Sequence, residues 1–192
     1  MTKYSAGVSK ITRLPDVLRQ AFRAATTGTP GPVHIQLPGH MCEFDVQEVD
    51  FEVVPEERFG QTSPFCPEPD AQSVVDVSRI LEVAKRPIIV AGGGVRTSGA
   101  GAELIALAEK LAIPVATSMN AKDTIPSDHL LSVGIPSLYF RKSASRAVLE
   151  ADLGFFVGSH TGSQVTFEWR LPKAGTPLVQ LDIDALVLSR HY

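Results

Sequence analysis

Cysteine is scarce: only Cys42 and Cys66 occur in 192 residues. Two thiols separated by a proline- and glutamate-containing stretch are too few for a disulfide scaffold, and they lack the paired spacing of a zinc site. Reduced thiols in a cytoplasm are the expectation. Basic runs are also missing. Lysine and arginine number 18 against 21 acids, for a net charge of -3, and no cluster of one sign argues for a nucleic-acid or anionic-membrane partner. Long apolar runs are absent as well. The opening MTKYSAGVSKITRLPDV contains no signal-peptide core, and nothing later approaches the roughly 20 apolar residues of a membrane span. A soluble, cytoplasmic protein is expected. No Gly-x-Ser-x-Gly occurs, and Ser159, Thr161 and Ser163 stand in no nucleophile pattern with a histidine and an acid, so hydrolase chemistry has no support. There is no internal repeat or low-complexity tract.

What is present suits a folded α/β protein. With 44% hydrophobic and 20% charged residues, the chain can bury a core and is long enough for one domain plus an appendage. Leu14-Pro15-Asp16 reads as a helix start, with the acid placed to meet the helix dipole. Val17, Leu18, Ala21, Phe22 and Ala25 recur at helical spacing, and Gly28 stops the helix. Val33, Ile35 and Leu37 then alternate with His34 and Gln36, the pattern of a strand with one wetter face, closed by Pro38. Residues 39–69 lose all periodicity. Pro55, Pro64, Pro67 and Pro69 remove backbone donors there, so the stretch reads as an extended connector between two domains.

From Asp70 the pattern is regular. Asp70 can cap a helix carrying Val74, Val75, Val77, Ile80, Leu81 and Ala84, ended by Pro87. "PIIVAGGGV" is a continuous β-branched run entering a glycine turn, as expected of a parallel strand buried on both faces. A helix over 98–111, the strand "IPVATSM", a helix over 143–150, and strands in "ADLGFFVGSH" and "TPLVQLDID" follow. Strand alternating with helix predicts a parallel sheet with helices on both faces, a Rossmann-like domain over 70–192.

Gly92, Gly93 and Gly94 are the strongest candidates for chemistry. Glycines directly after a buried strand let backbone approach a ligand, and the next helix could offer N–H groups to an anion. The dinucleotide fingerprint is incomplete, because its third glycine position is Thr97 and the next strand ends in Thr117, Ser118 and Met119 with no acid. The alternative is a tight strand-to-helix turn with close packing. His160 follows Val157-Gly158 at a strand's carboxyl end, where open α/β sheets place ligands, or is simply a solvated loop histidine. Asp182, beside Ile183, could accept from a ribose hydroxyl or form a turn. His40, Cys42 and Cys66 form no recognised metal spacing, and no metal site is expected.

"GTPGPVHIQLP" resembles the closing helix-strand of the pyrimidine-binding domain in thiamine diphosphate-dependent enzymes of the acetolactate synthase type. "AKRPIIVAGGGV", "LAEKLAIPVATSMNAKDTIPSDHLLSVG", "EADLGFFVGS" and "LVQLDID" resemble, in order, landmarks of that family's central domain. The resemblance implies that residues 1–38 are the C-terminal remnant of one domain, that 39–69 link it onward, and that 70–192 are the central domain. It implies a parent catalysing carbon–carbon bond cleavage or ligation of 2-keto acids with thiamine diphosphate and Mg²⁺. Neither the family's glutamate-bearing segment nor a Gly-Asp-Gly triplet is found in this chain, so it should be inactive alone, with the parent's other domains and further copies of itself as partners. Some members hold flavin adenine dinucleotide in this domain. The arginines and acid of that pattern are replaced by Thr29, His160, Ser163 and Gln164, which removes the charge-assisted anchors and implies no tightly held flavin. Gly92, Gly93, Gly94, Thr117, Ser118, Gly158, Asp182 and Ile183 stay compatible with backbone-type contacts to an adenosine nucleotide. A free-standing nucleotide-binding module and a non-catalytic regulatory scaffold are the other readings. As a remnant, segment 14–38 would lack strand neighbours, and is expected to dock on the central domain, pair with another chain or be poorly ordered.

Overall fold

The computed structural model describes residues 2–37, 39, 50, 52–137 and 142–192, in two compact units, Met1–Cys66 and Pro67–Tyr192. Pro38, His40 and Cys42 lie outside the described residues.

The first unit is a β-α-β element. Strand β1 (Tyr4–Gly7) pairs in parallel with β2 (Val33–Gln36), Tyr4 opposite Val33 and Ala6 opposite Ile35, and helix α1 (Leu14–Thr26) connects them. The expectation that the second strand would find no neighbour in the chain is therefore corrected. Its partner was hidden because a four-residue strand containing Ser5 and Gly7 has too little apolar alternation to register. Val33 and Ile35 are half-buried and His34 and Gln36 exposed, the expected wetter face. On that face Ser5 Oγ lies 3.2 Å from His34 Nδ1.

Helix α1 carries Asp16 in its first turn, paired with Arg19 at 2.8 Å, and ends before Gly28, whose φ is +64°. Val17 and Ala21 are buried, but Leu18 and Phe22 of the same apolar face are exposed, Phe22 to 57%. Two strands about 4.8 Å apart are too narrow to cover the whole stripe.

Part of the expected connector is folded. A 3₁₀ turn at Glu57–Gly60 lies on α1. Arg23 Nε donates to Glu56 Oε2 at 2.8 Å, and its guanidinium sits 5.3 Å over the Phe59 ring. Phe65 meets Phe59 edge-on at 5.9 Å, and the Ser63 N–H donates to the Thr26 carbonyl at 3.1 Å. An ion pair and an aromatic edge leave no periodic trace in sequence.

The second unit contains a five-stranded, wholly parallel sheet. Its strands are β3 (Pro87–Ala91), β4 (Val115–Thr117), β5 (Ser132–Gly134), β6 (Leu153–Val157) and β7 (Leu178–Leu181), in the order β5-β4-β3-β6-β7. Helices are α2 (Ala71–Val83), α3 (Gly93–Thr97), α4 (Gly101–Leu111), α5 (Lys142–Leu149) and α6 (Ser163–Thr166). Asp70 caps α2 as expected, accepting from the Ser73 N–H at 2.9 Å. The helix expected over 98–111 is α4, which starts three residues later at Gly101; the short α3 precedes it, and Gly99 takes φ +71° between the two. Pro87 opens β3; the helix before it has already stopped at Val83.

Successive strand residues point to opposite faces. Ile89, Ala91, Val115, Leu153 and Phe155 share one core with Leu81 of α2, Val95 of α3 and Leu104 and Ala108 of α4. Ile88, Val90, Ala116 and Phe156 share the other with Val148 of α5 and Val165 of α6. Helices thus cover both faces, which is why these strands read as continuous apolar runs. At the amino edge Asp152 accepts from the Lys85 and Arg86 N–H groups at 2.8 and 2.9 Å. Desolvation pushes its pKa up, but those donors outweigh it and hold the carboxyl below its ordinary value. No helix among the described residues is long and apolar enough to cross a membrane.

Candidate functional site

The parallel sheet brings the carboxyl ends of β4, β3, β6 and β7 side by side, so Thr117 and Ser118, Gly92 to Gly94, Gly158 and His160, and Asp182 and Ile183 line one edge. A ladder of backbone bonds runs across that edge just past the strands. The Ser118 N–H donates to Ala91 O at 2.8 Å, Gly92 N–H to Val157 O at 2.8 Å, Gly94 N–H to Gly158 O at 2.9 Å and Gly158 N–H to Leu181 O at 2.7 Å.

The glycines are brought together in direct backbone contact. A Cβ on Gly92 would lie 2.1 Å from the Gly158 carbonyl oxygen, and one on Gly94 would lie 2.7 Å from Gly158 Cα. Gly158, at φ +56°, would put a Cβ 2.7 Å from Gly94 Cα. These distances are far inside ordinary contact, so only glycine fits at all three positions. The close backbone packing that the alternative reading of the turn requires is present. The Gly92 and Gly94 amides donate within the protein, and α3 has five residues. Gly93 is different: it is half-buried, and a Cβ there would meet Asn120, its Cβ at 3.3 Å and its carbonyl oxygen at 4.0 Å.

The remaining candidates divide by burial. Thr117 is buried, and His160 is exposed. Asp182 Oδ1 accepts from the Asp184 N–H at 3.0 Å, and Asp184 Oδ1 from the Leu186 N–H at 3.0 Å, two successive Asx turns that employ the acid in chain reversal. Ile183 is half-buried between them. Ser159 and Thr161, which stand in no nucleophile pattern, are both buried, and the Thr161 hydroxyl has no hydrogen-bond partner among the described residues. Trp169, unremarked in sequence, donates its indole N–H to Thr161 O at 3.1 Å. That it is the only tryptophan was the available signal. Cys66 is exposed and sits 3.7 Å from Ser63 O. Among the described residues no three of His, Cys, Asp and Glu come together as a metal site.

This arrangement makes a sheet edge tightly tied by backbone hydrogen bonds. Residues 74–192 match the family model described as thiamine pyrophosphate enzyme, central domain. The whole chain aligns at 34% identity with a probable acetolactate synthase large subunit of Methanocaldococcus jannaschii, covering 32% of that protein. It is 33% identical over 99% of its length to the acetolactate synthase large subunit of Corynebacterium glutamicum, covering 30% of it. The X-ray structure of an enzyme from Mycobacterium smegmatis described as thiamin diphosphate-dependent superposes with a TM-score of 0.65 at 26% identity, over 93% of this chain and 33% of the other. The chain therefore spans about a third of the length of the curated relatives it matches.

Proposed function

The chain belongs to the thiamine pyrophosphate enzyme family through its central domain, and on that premise we propose that it serves as the middle slab of a carbon–carbon lyase or carboligase of the acetolactate synthase kind. The observation that carries this reading is the joint coverage: nearly all of this chain aligns with relatives three times its length. Its work is structural. It joins the two domains that grip the coenzyme and contributes to subunit packing, and the parent's substrates are 2-keto acids. Apolar side chains left exposed, such as Leu18 and Phe22 on α1, support a chain covered by further protein.

Thiamine diphosphate, where bound, supplies the carbanion-stabilising centre of such enzymes. The residues here do not fit that group or its magnesium. The sequence has no Gly-Asp-Gly triplet, the described residues assemble no cluster of metal-binding side chains, and the Gly92 and Gly94 amides are engaged within the sheet edge. Nothing at that edge favours the free-standing nucleotide module either. Incubating the purified chain with pyruvate, thiamine diphosphate and Mg²⁺ should yield no acetolactate and no acetaldehyde; sustained turnover by this chain alone would overturn the proposal.

A further inference from the structure

Between β6 and β7 the backbone does something that sheet pairing does not require. Phe167, Glu168 and Trp169 have φ of +51°, +55° and +60°. Residues with a Cβ visit the left-handed region singly, and three in succession persist only where the surroundings over-determine them. Those surroundings are identifiable. The Glu168 N–H donates to Ser163 O at 2.8 Å, the Trp169 N–H to Thr166 Oγ1 at 3.1 Å, and the Leu171 N–H to Thr166 O at 2.8 Å. The Arg170 guanidinium lies 5.1 Å over the Phe167 ring.

One bond then leaves the turn for the loop that follows β6, beside an i to i−4 bond of α6 to its own N-cap residue. Thr166 Oγ1 donates to Gly162 O at 3.0 Å, and the Trp169 indole N–H donates to Thr161 O at 3.1 Å. Thr161 is itself left-handed, at φ +48°, and fully buried. The indole ring is 5.1 Å from the His191 ring.

We propose that the left-handed turn Phe167–Trp169 is a latch on the loop Gly158–Gly162, with Trp169 as its positioning residue. By holding the Thr161 carbonyl, the indole N–H fixes the backbone that carries His160 and that presses Gly158 against Gly92 and Gly94. Without that bond the turn loses its tie to the loop, so turn and loop open as one unit, while the strands remain formed. The latch is a property of this chain's own backbone and does not depend on which reaction the parent performs.

Native-state hydrogen exchange on the full chain tests it, comparing wild type with Trp169→Phe and Glu168→Gly. Trp169→Phe keeps an aromatic ring and deletes the donor; peptides covering 158–162 and 165–171 should both exchange up to about tenfold faster, by the same factor, with β3 and β6 unchanged. Glu168→Gly keeps Trp169 and relieves one left-handed residue, so both segments should exchange about fivefold slower. The proposal fails if Trp169→Phe loosens 165–171 while 158–162 keeps its wild-type rate, or if β3 and β6 speed up equally. It fails too if Glu168→Gly leaves the loop unmoved, which decides the matter even should Trp169→Phe not fold.

Discussion

Replacing Gly92 by alanine asks directly what the glycine turn is for. The added Cβ would lie 2.1 Å from Gly158 O, 2.5 Å from Ser159 Cα and 2.7 Å from Gly158 C. All three are backbone atoms, so no side chain can swing aside, and a contact near 3.5 Å needs a retreat of more than about 1 Å. Overpacking of this sort costs about 1–3 kcal/mol. The retreat also strains the bonds from Gly92 N–H to Val157 O and from Gly94 N–H to Gly158 O, each worth a net ~0.5–1.5 kcal/mol. Together a loss of about 2–6 kcal/mol is expected, a large share of the ~5–15 kcal/mol that holds a domain folded. Gly162→Ala is the control, because a Cβ there meets nothing within 4 Å and its φ is unexceptional; it should stay within ~0.5 kcal/mol of wild type. Urea unfolding followed by far-UV circular dichroism, with the slope checked for constancy, measures both. A Gly92→Ala protein as stable as the control would mean that the glycines are not there for backbone packing, and would return the turn to ligand access.

Core and surface should separate cleanly elsewhere. Ile89→Val, at a side chain with no exposure, should cost about 0.5–1.5 kcal/mol, while Leu130→Ala at a fully exposed position should stay within about 0.5 kcal/mol in the same urea titration. Acid should weaken the fold, since Asp152, Asp70, Glu56 and Glu150 all have pKa values held below their ordinary range. A depressed native pKa gives stability that is present above the unfolded carboxylate values of about 4 and lost as pH falls through the native ones. The urea midpoint should thus be level from neutral pH down to about pH 5 and fall below it. Asp152→Asn should lower the midpoint at neutral pH and make the acid fall shallower; an unchanged acid limb would remove Asp152 from the set.

The central strands were legible because burial on both faces writes itself as an apolar run: Ile88 to Ala91 and Leu153 to Val157 are each nearly free of polar residues. Asp70 announced its cap through chemistry confined to four residues. Short pieces were not legible. β1 (YSAG) and β5 (SVG) are interrupted by Ser and Gly and offer no apolar run or alternation, and the packing of Glu56 and Phe59 on α1 depends on side chains more than thirty residues apart. At the candidate site, the shared edge of Gly92, Thr117, Gly158 and Asp182 followed from placing each at a strand's carboxyl end. The contact of Gly92 and Gly94 with Gly158 did not, because it rests on the register of Ala91 opposite Val157, which only the folded sheet defines. The left-handed run at Phe167 was invisible for the opposite reason: local propensity argues against it, and tertiary bonds hold it.

Calorimetric titration of the full chain with thiamine diphosphate in the presence of Mg²⁺ bears most directly on the proposal that it is a middle slab without the coenzyme site. The titration should show no saturable heat. A stoichiometric binding isotherm from this polypeptide by itself would contradict that role.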